Sequence, residues 1–173
     1  MEKFNELVIK LVRISMKVLV GGIMSETRWT TEIKRIIRNK GEQAGFNVDK
    51  QFEERLNING LKIQPDVIWR KENRVRCVFE IDTFSNDYYA KTIFGSILGG
   101  IIMARVKDAE FIEIVKNRTH NGSRAEQMIE LIKRYLGSLP KIHCILVPEY
   151  YGRFRYENTQ KFLTKKFQNE GII

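Results

Sequence analysis

Residues 61–84, "LKIQPDVIWRKENRVRCVFEIDTF", read as sheet, yet they carry three carboxylates, Asp66, Glu80 and Asp82. Alternation assigns two strands around a tight turn at "RKEN", with Asp66 near the end of one strand and Glu80 near the end of its antiparallel partner. Positions so placed can face each other closely. Two unpaired carboxylates would repel there unless a positive charge lies between them. A hard divalent cation meets that need, because Mg²⁺ takes oxygen ligands and keeps several waters. The peptide carbonyl of Ile81 offers a further oxygen. An ion so held can activate water and stabilise charge on a phosphate during hydrolysis. The hairpin alone leaves a second reading open, in which Asp66 and Glu80 make ordinary cross-strand salt bridges, for instance with Lys62 and Arg76.

The elements that must hold these acids follow from periodicity. A helix runs from about Ser25, a good N-cap, to Ala44, with Gly45 as its stop signal. Its apolar stripe is Trp29, Ile33, Ile36 and Ile37, and Glu32 flanks that inward face. A first strand carries Phe46, Val48 and Phe52 and reaches Leu56, and Asn59–Gly60 signals a two-residue hairpin. The second strand puts Leu61, Ile63, Val67 and Trp69 on one face and Lys62, Gln64 and Asp66 on the other. The third sets Val75, Cys77, Phe79 and Ile81 against Arg76, Val78, Glu80 and Asp82. A long helix follows over Asn86 to Arg105, and its small residues Gly95, Ser96, Gly99 and Gly100 point to a close approach by another element. The strand "FIEIV", a helix opened by a capping box of Ser123 and Glu126, and a last strand "KIHCILV" complete the sheet at Pro148. The order is αβββαβαβ, which implies an α/β fold with helices flanking a mixed central sheet. The domain division is an N-terminal helix at 1–22, a core at 23–149 and a basic aromatic tail at 150–173.

This order and spacing resemble the PD-(D/E)XK nuclease superfamily. Pro65–Asp66 matches the "PD", Glu80, fourteen residues on, matches the "D/E", and Ile81 is the spacer before the third signature position. Glu32 matches the acid often found on the family's first helix, and the likeness spans about residues 25 to 117. It implies a restriction-endonuclease-like αβββαβ core and an endonuclease that hydrolyses DNA phosphodiesters with Mg²⁺, with Mn²⁺ as a substitute. Asp66, Glu80 and the Ile81 carbonyl would hold the metal, and Glu32 would assist through water. The chain departs from the pattern at the third position, where Asp82 stands in place of Lys. Asp82 then becomes a further ligand or a general base. A displaced lysine is expected at Lys91, early in the following helix, with Lys62 as the second candidate. The alternative is a non-catalytic nucleic-acid-binding or assembly protein on the same fold.

The chain has 173 residues, with 30 Lys and Arg against 21 Asp and Glu, a formal charge of +9. That excess fits a polyanionic partner, DNA with RNA left open, or a membrane surface; the plainer reading is a solvated cationic surface. Arg118 and Arg124 flank the loop "NRTHNGSR", which leads into a helix N-terminus suited to phosphate. Arg153 and Arg155 alternate with Tyr150, Tyr151, Phe154 and Tyr156, so the tail either stacks on bases or packs on the core. Cys77 and Cys144 lie in apolar runs and read as buried free thiols in a reducing, cytoplasmic setting. No Cys/His cluster has zinc spacing, and His143 reads as a strand residue. Near the N-terminus, Phe4, Leu7, Val8, Leu11 and Val12 recur at helical spacing, while Lys10, Arg13 and Lys17 break the apolar run. An amphipathic helix fits better than a membrane span or signal peptide, and pairing with a second copy is expected, giving a homodimer.

Overall fold

Trp29, Ile33, Ile36 and Ile37 form one stripe of a helix, and all four are buried. The computed structural model describes residues 28–48, 56–58, 61–83, 87–117, 121–136, 139–148 and 155–173. The expected N-terminal helix and its dimer interface lie outside them. Helix α1 spans Arg28–Gln43. It ends where Gly45 takes φ 79°, with Gly45 N–H on Glu42 O and Phe46 N–H on Gly41 O. That pattern is a Schellman stop, and the residue that the sequence marks as breaker makes it.

The strands are β1 (Asn47–Val48), β2 (Leu56–Ile58), β3 (Leu61–Ile63), β4 (Val67–Lys71) and β5 (Arg74–Asp82). Helix α2 (Asp87–Lys107) leads to β6 (Glu110–Asn117), α3 (Asn121–Leu136) to β7 (Ile142–Pro148), and α4 (Tyr156–Asn169) follows. The main sheet has the order β1-β4-β5-β6-β7. It is mixed: β1, β4 and β5 pair antiparallel, whereas β5, β6 and β7 run parallel. Crossovers through α2 and α3 make the parallel pairs possible. This is an α/β protein with a mixed five-stranded sheet and four flanking helices among the described residues.

Two apolar clusters sandwich the sheet. Ile97, Leu98 and Ile101 of α2 and Ala125, Ile129 and Ile132 of α3 pack with Val78, Phe111 and Val115 on one face. On the other face α1 and α4 pack with Trp69, Phe79, Ile112 and Ile114. Phe167 of α4 meets Trp69 edge-on at 5.6 Å between ring centroids. From residue 155 onward, therefore, the basic aromatic tail is a core-packing helix, its buried residues being Thr159, Leu163 and Phe167.

The structure corrects three local readings. The segment 61–69 is two strands: β3 pairs with β2 in a separate two-stranded sheet, Ile58 opposite Leu61, and only β4 joins the main sheet. Ile63 consequently belongs to the α2-side core while Val67 and Trp69 face α1 and α4. Pro65 in the link explains the break, since proline has no N–H to give a ladder. In β5, Trp69 pairs with Cys77 and Arg70 with Val75, leaving Arg76 as a bulge. The bulge moves Val75 to the same core as Val78 rather than that of Cys77. Finally, α3 starts at Asn121, so Ser123 lies inside the helix rather than ahead of it.

Candidate functional site

Glu80 and Asp82 sit at alternate positions near the end of β5, on the face of Val78 and beneath α2. In the parallel register Glu113 of β6 lies beside Glu80. Glu113 is fully buried and Glu80 is 7 % exposed. Asp82 as a residue is half-buried, but its Oδ2 is closed off from solvent. Helix α2 covers them closely because residue 100 is glycine: a Cβ there would overlap the Phe111 ring and come within 2.9 Å of Glu80 Cγ. One turn earlier Ser96 hydrogen-bonds to Glu80 and Asp82.

Asp66 joins the cluster from the link ahead of β4. Its N–H donates to Phe79 O at 3.1 Å, which extends the β4–β5 ladder by one residue. Its Oδ2 accepts the Ile81 N–H at 2.9 Å, and its Oδ1 pairs with Lys34 Nζ at 2.7 Å. Along a strand the N–H and C=O of one residue point to the same side. The Ile81 carbonyl is therefore directed to the Asp66 side, beyond the first residue of β4.

Electrostatics follow from this crowding. Burial, then Asp66 and Asp82, push the Glu80 carboxyl well above the usual carboxylate range, with Ser96 and Lys34 opposing. Burial, then Asp66, raise Asp82 from 3.8 to about 7, against the pull of Glu113, Ser96 and Lys34. Burial, then Asp82 and Glu80, raise Glu113 well above its ordinary value. Asp82 Oδ2 and both Glu113 oxygens meet no N–H or O–H donor. The two carboxyls reach each other, a contact that attracts only with a proton or a cation between them.

Comparison with known proteins gives no match: no family model, no curated protein and no solved structure matches the chain. Function must then be read from the site. The acids cluster toward the C-terminal ends of the parallel strands, the usual ligand side of an open α/β sheet. Their donors are all oxygens, which suits Mg²⁺ or Mn²⁺ better than a soft metal. The undonated oxygens of Asp82 and Glu113 fit a cation in chemical type. Yet among the described residues no group of three or more His, Cys, Asp or Glu side chains is placed to hold a metal ion. Asp66 has both oxygens engaged, one of them by Lys34.

The remaining candidates fall as follows. Glu32 bonds to Arg35 Nη2 at 2.7 Å, and Arg35 in turn lies over the Tyr156 ring at 4.2 Å. The cation set on Asp66 is Lys34, two residues further along α1. Lys62 is exposed on the small hairpin, and Arg155 is exposed at the start of α4. Arg118, Arg153 and the side chains of Lys91 and Arg124 lie outside the described residues. His143 is buried on the opposite face, its Nδ1 2.7 Å from Glu170 Oε2 and its Nε2 2.9 Å from Glu110 Oε2. Cys77 is buried and Cys144 half-buried, both free thiols raised to about 12, first by burial. An open cavity of about 330 Å³ lined by Arg76, Arg105, Glu110 and Lys141 lies at the other end of the parallel strands, away from the acids. No helix among the described residues is long and apolar enough to cross a membrane.

Glu113 and Lys34 were not singled out by sequence reasoning. Glu113 had a signal, an acid centred in "FIEIV", because a parallel strand between two helical layers has no solvent face for it. Lys34 had none, since a lysine beside an apolar helical stripe normally points to water.

Proposed function

We propose that the chain is a metal-dependent nuclease of the PD-(D/E)XK kind, hydrolysing phosphodiester bonds of DNA, with Asp66, Glu80 and the Ile81 carbonyl as the metal-holding groups. The observation that carries this is the gathering of Glu80, Asp82 and buried Glu113 on the α2 face, with Asp66 beside them at the end of β5, in a chain of +9 charge. The succession α1, β1, β4, β5, α2, β6 follows the superfamily's αβββαβ order, with the hairpin β2–β3 as an addition, and supports the same reading. A bound Mg²⁺ would supply Lewis-acid stabilisation of charge on the phosphate. In the hydrolysis a water oxygen bonds to phosphorus, the P–O ester bond breaks, and the departing oxygen takes a proton. Asp82, at the third signature position, is the group set to accept the water's proton. The Ile81 N–H fixes the Asp66 carboxylate in orientation. Ser96 orients Glu80 and Asp82.

The test is incubation of the purified chain with single-stranded, double-stranded and branched DNA and with RNA, each with Mg²⁺, with Mn²⁺ and with chelator. Cleavage that requires the divalent ion and is lost in Asp66→Asn supports the proposal. Cleavage by Asp66→Asn at the wild-type rate would reduce these carboxylates to structure. Salt-sensitive DNA binding with no cleavage under any ion would select the non-catalytic alternative on the same fold.

A further inference from the structure

We propose that the outer edge of β7 is a homodimer surface, on which a second copy of this chain pairs its own β7 antiparallel about a two-fold axis at Cys144 and brings its α3 alongside. This surface is separate from the acid cluster and from residues 1–22, and it stands whether or not the chain cuts DNA.

Among the described residues β7 has one neighbour, β6, and ends the main sheet on that side. Sheets usually guard such an edge with charge, a bulge or very short length. β7 runs for seven residues, carries no Lys, Arg, Asp or Glu, and pairs with β6 without a register shift. Its backbone phase follows from one bond. Phe111 N–H donates to Lys141 O at 2.9 Å, so Lys141, His143, Ile145 and Val147 turn their polar groups to β6. Ile142, Cys144 and Leu146 turn theirs outward. A two-fold at Cys144 sets Ile142 against Leu146 of the second copy and Cys144 against its own counterpart, all as hydrogen-bonded pairs. A two-fold at Ile145 would instead need an N–H from Pro148, which has none. The side chains of Ile142, Cys144 and Leu146 are half-buried against the α3-side core, and a neighbouring strand would cover more of them.

Charge selects a second copy as the occupant. Glu126, Glu130 and Lys133 recur on one exposed flank of α3. After burial, Glu126, Glu170 and Lys133 are the charges that act on the Cys144 thiol, so this flank of α3 overlooks the β7 edge. Acid precedes base along the flank. Rotation about Cys144 therefore places Glu126 of each copy opposite Lys133 of the other, an isologous match. Helix α3 touches both β6 and β7. With strands about 4.8 Å apart, two helices so seated lie roughly 10 Å from each other, within packing distance.

The experiment uses the full chain. Sedimentation equilibrium should show a dimer, and amide exchange followed by NMR should find the N–H groups of Ile142, Cys144 and Leu146 slowed as concentration rises. Glu126→Lys and Lys133→Glu each set like charges face to face at two related contacts and should weaken the dimer roughly tenfold. The double charge swap should restore the wild-type affinity. Both side chains are exposed, so the fold survives these changes, as circular dichroism will check. Residues 126 and 133 lie two helical turns apart and do not meet within one copy, so pairing between copies is what the rescue reports. A wild-type monomer at micromolar concentration overturns the inference. So does a dimer indifferent to either substitution, or a double swap that fails to rescue. A dimer in which the Cys144 and Leu146 amides exchange as they do in the monomer also overturns it, since pairing then occurs elsewhere, as through Phe4 and Leu7.

Discussion

Replacing Glu113 by glutamine isolates what the acids do to the fold. Glu113 is fully buried, has no donor on either oxygen, and keeps its proton well above the usual range, through burial first and then Asp82 and Glu80. A carboxyl that is protonated in the fold and ionised in the unfolded chain contributes stability that is complete below its unfolded pKa. That contribution is lost as pH rises toward the folded pKa. The window therefore opens near the ordinary values of 4.5 for Glu and 3.8 for Asp, and for Asp82 it closes at about 7. Within it, each proton held by the folded state alone gives a slope of about −1.4 kcal/mol per pH unit. For Asp82 the interval from 3.8 to about 7 amounts to at most about 4 kcal/mol.

A glutamine side chain has no proton to lose, and its amide can donate to Asp82. Between about pH 5 and pH 7 the unfolding free energy of Glu113→Gln should fall less steeply than that of wild type, by up to about 1.4 kcal/mol per pH unit. The variant should accordingly become the more stable protein as pH rises. Urea unfolding in chelator, followed by circular dichroism and the fluorescence of buried Trp69, measures the slopes directly. Parallel lines for the two proteins would refute the reasoning, because they would mean that Glu113 titrates alike in fold and coil.

Asp66→Asn or Glu80→Gln should abolish Mg²⁺-dependent cleavage with DNA affinity equal or slightly improved, since each removes a ligand and a negative charge near phosphate; filter binding beside a cleavage assay separates the two effects. Gly100→Ala should lower stability by about 1–3 kcal/mol, because its Cβ would overlap Phe111 and crowd Glu80; an unchanged urea midpoint would contradict that packing. DNA affinity should drop steeply with salt as counterion release demands of a +9 chain, and a flat titration would count against nucleic acid as partner. Light scattering should report a homodimer, and a monomer at micromolar concentration with residues 1–20 intact would remove the role assigned to Phe4, Leu7 and Leu11.

Those elements whose patterns are local were legible in the sequence. The stripe of α1, its Gly45 stop, the pairing of Ile58 with Leu61 and the antiparallel approach of Asp66 to the end of β5 all stand in the structure. What alternation could not reveal was where one strand becomes two. Residues 61–69 keep a period of two in sequence, yet the link through Pro65 turns the chain between sheets, and the Arg76 bulge shifts the phase of β5 again. The site divides in the same way. Asp66, Glu80 and Asp82 lie on one hairpin and were visible together, whereas Glu113 and Lys34 reach them only through the β5–β6 register and the packing of α1. Contacts between distant segments leave no periodic trace.

The rival to catalysis is a chain that keeps this fold and binds nucleic acid without cutting it. The two readings differ over Glu113 and its neighbours. Phosphate binding gains nothing from carboxyls packed under α2, since they repel a polyanion and weaken the sheet as pH approaches neutrality. The neighbouring positions on that face of β6, Phe111 and Val115, are filled as a buried parallel strand ordinarily is, with apolar side chains. An apolar residue at 113 would serve a binding module better and remove a donorless pair of oxygens from the core. Sequences break the packing rules of a fold chiefly where a site requires it. Here the departures are concentrated rather than scattered: an acid in an apolar strand, an aspartate held between Lys34 and a backbone N–H, and a glycine that lets α2 close over Glu80 and Phe111. They meet toward the C-terminal ends of the parallel strands, where a ligand can reach Asp66 and Asp82 from outside. That convergence weighs for chemistry at the acids over a purely cationic binding surface elsewhere on the chain.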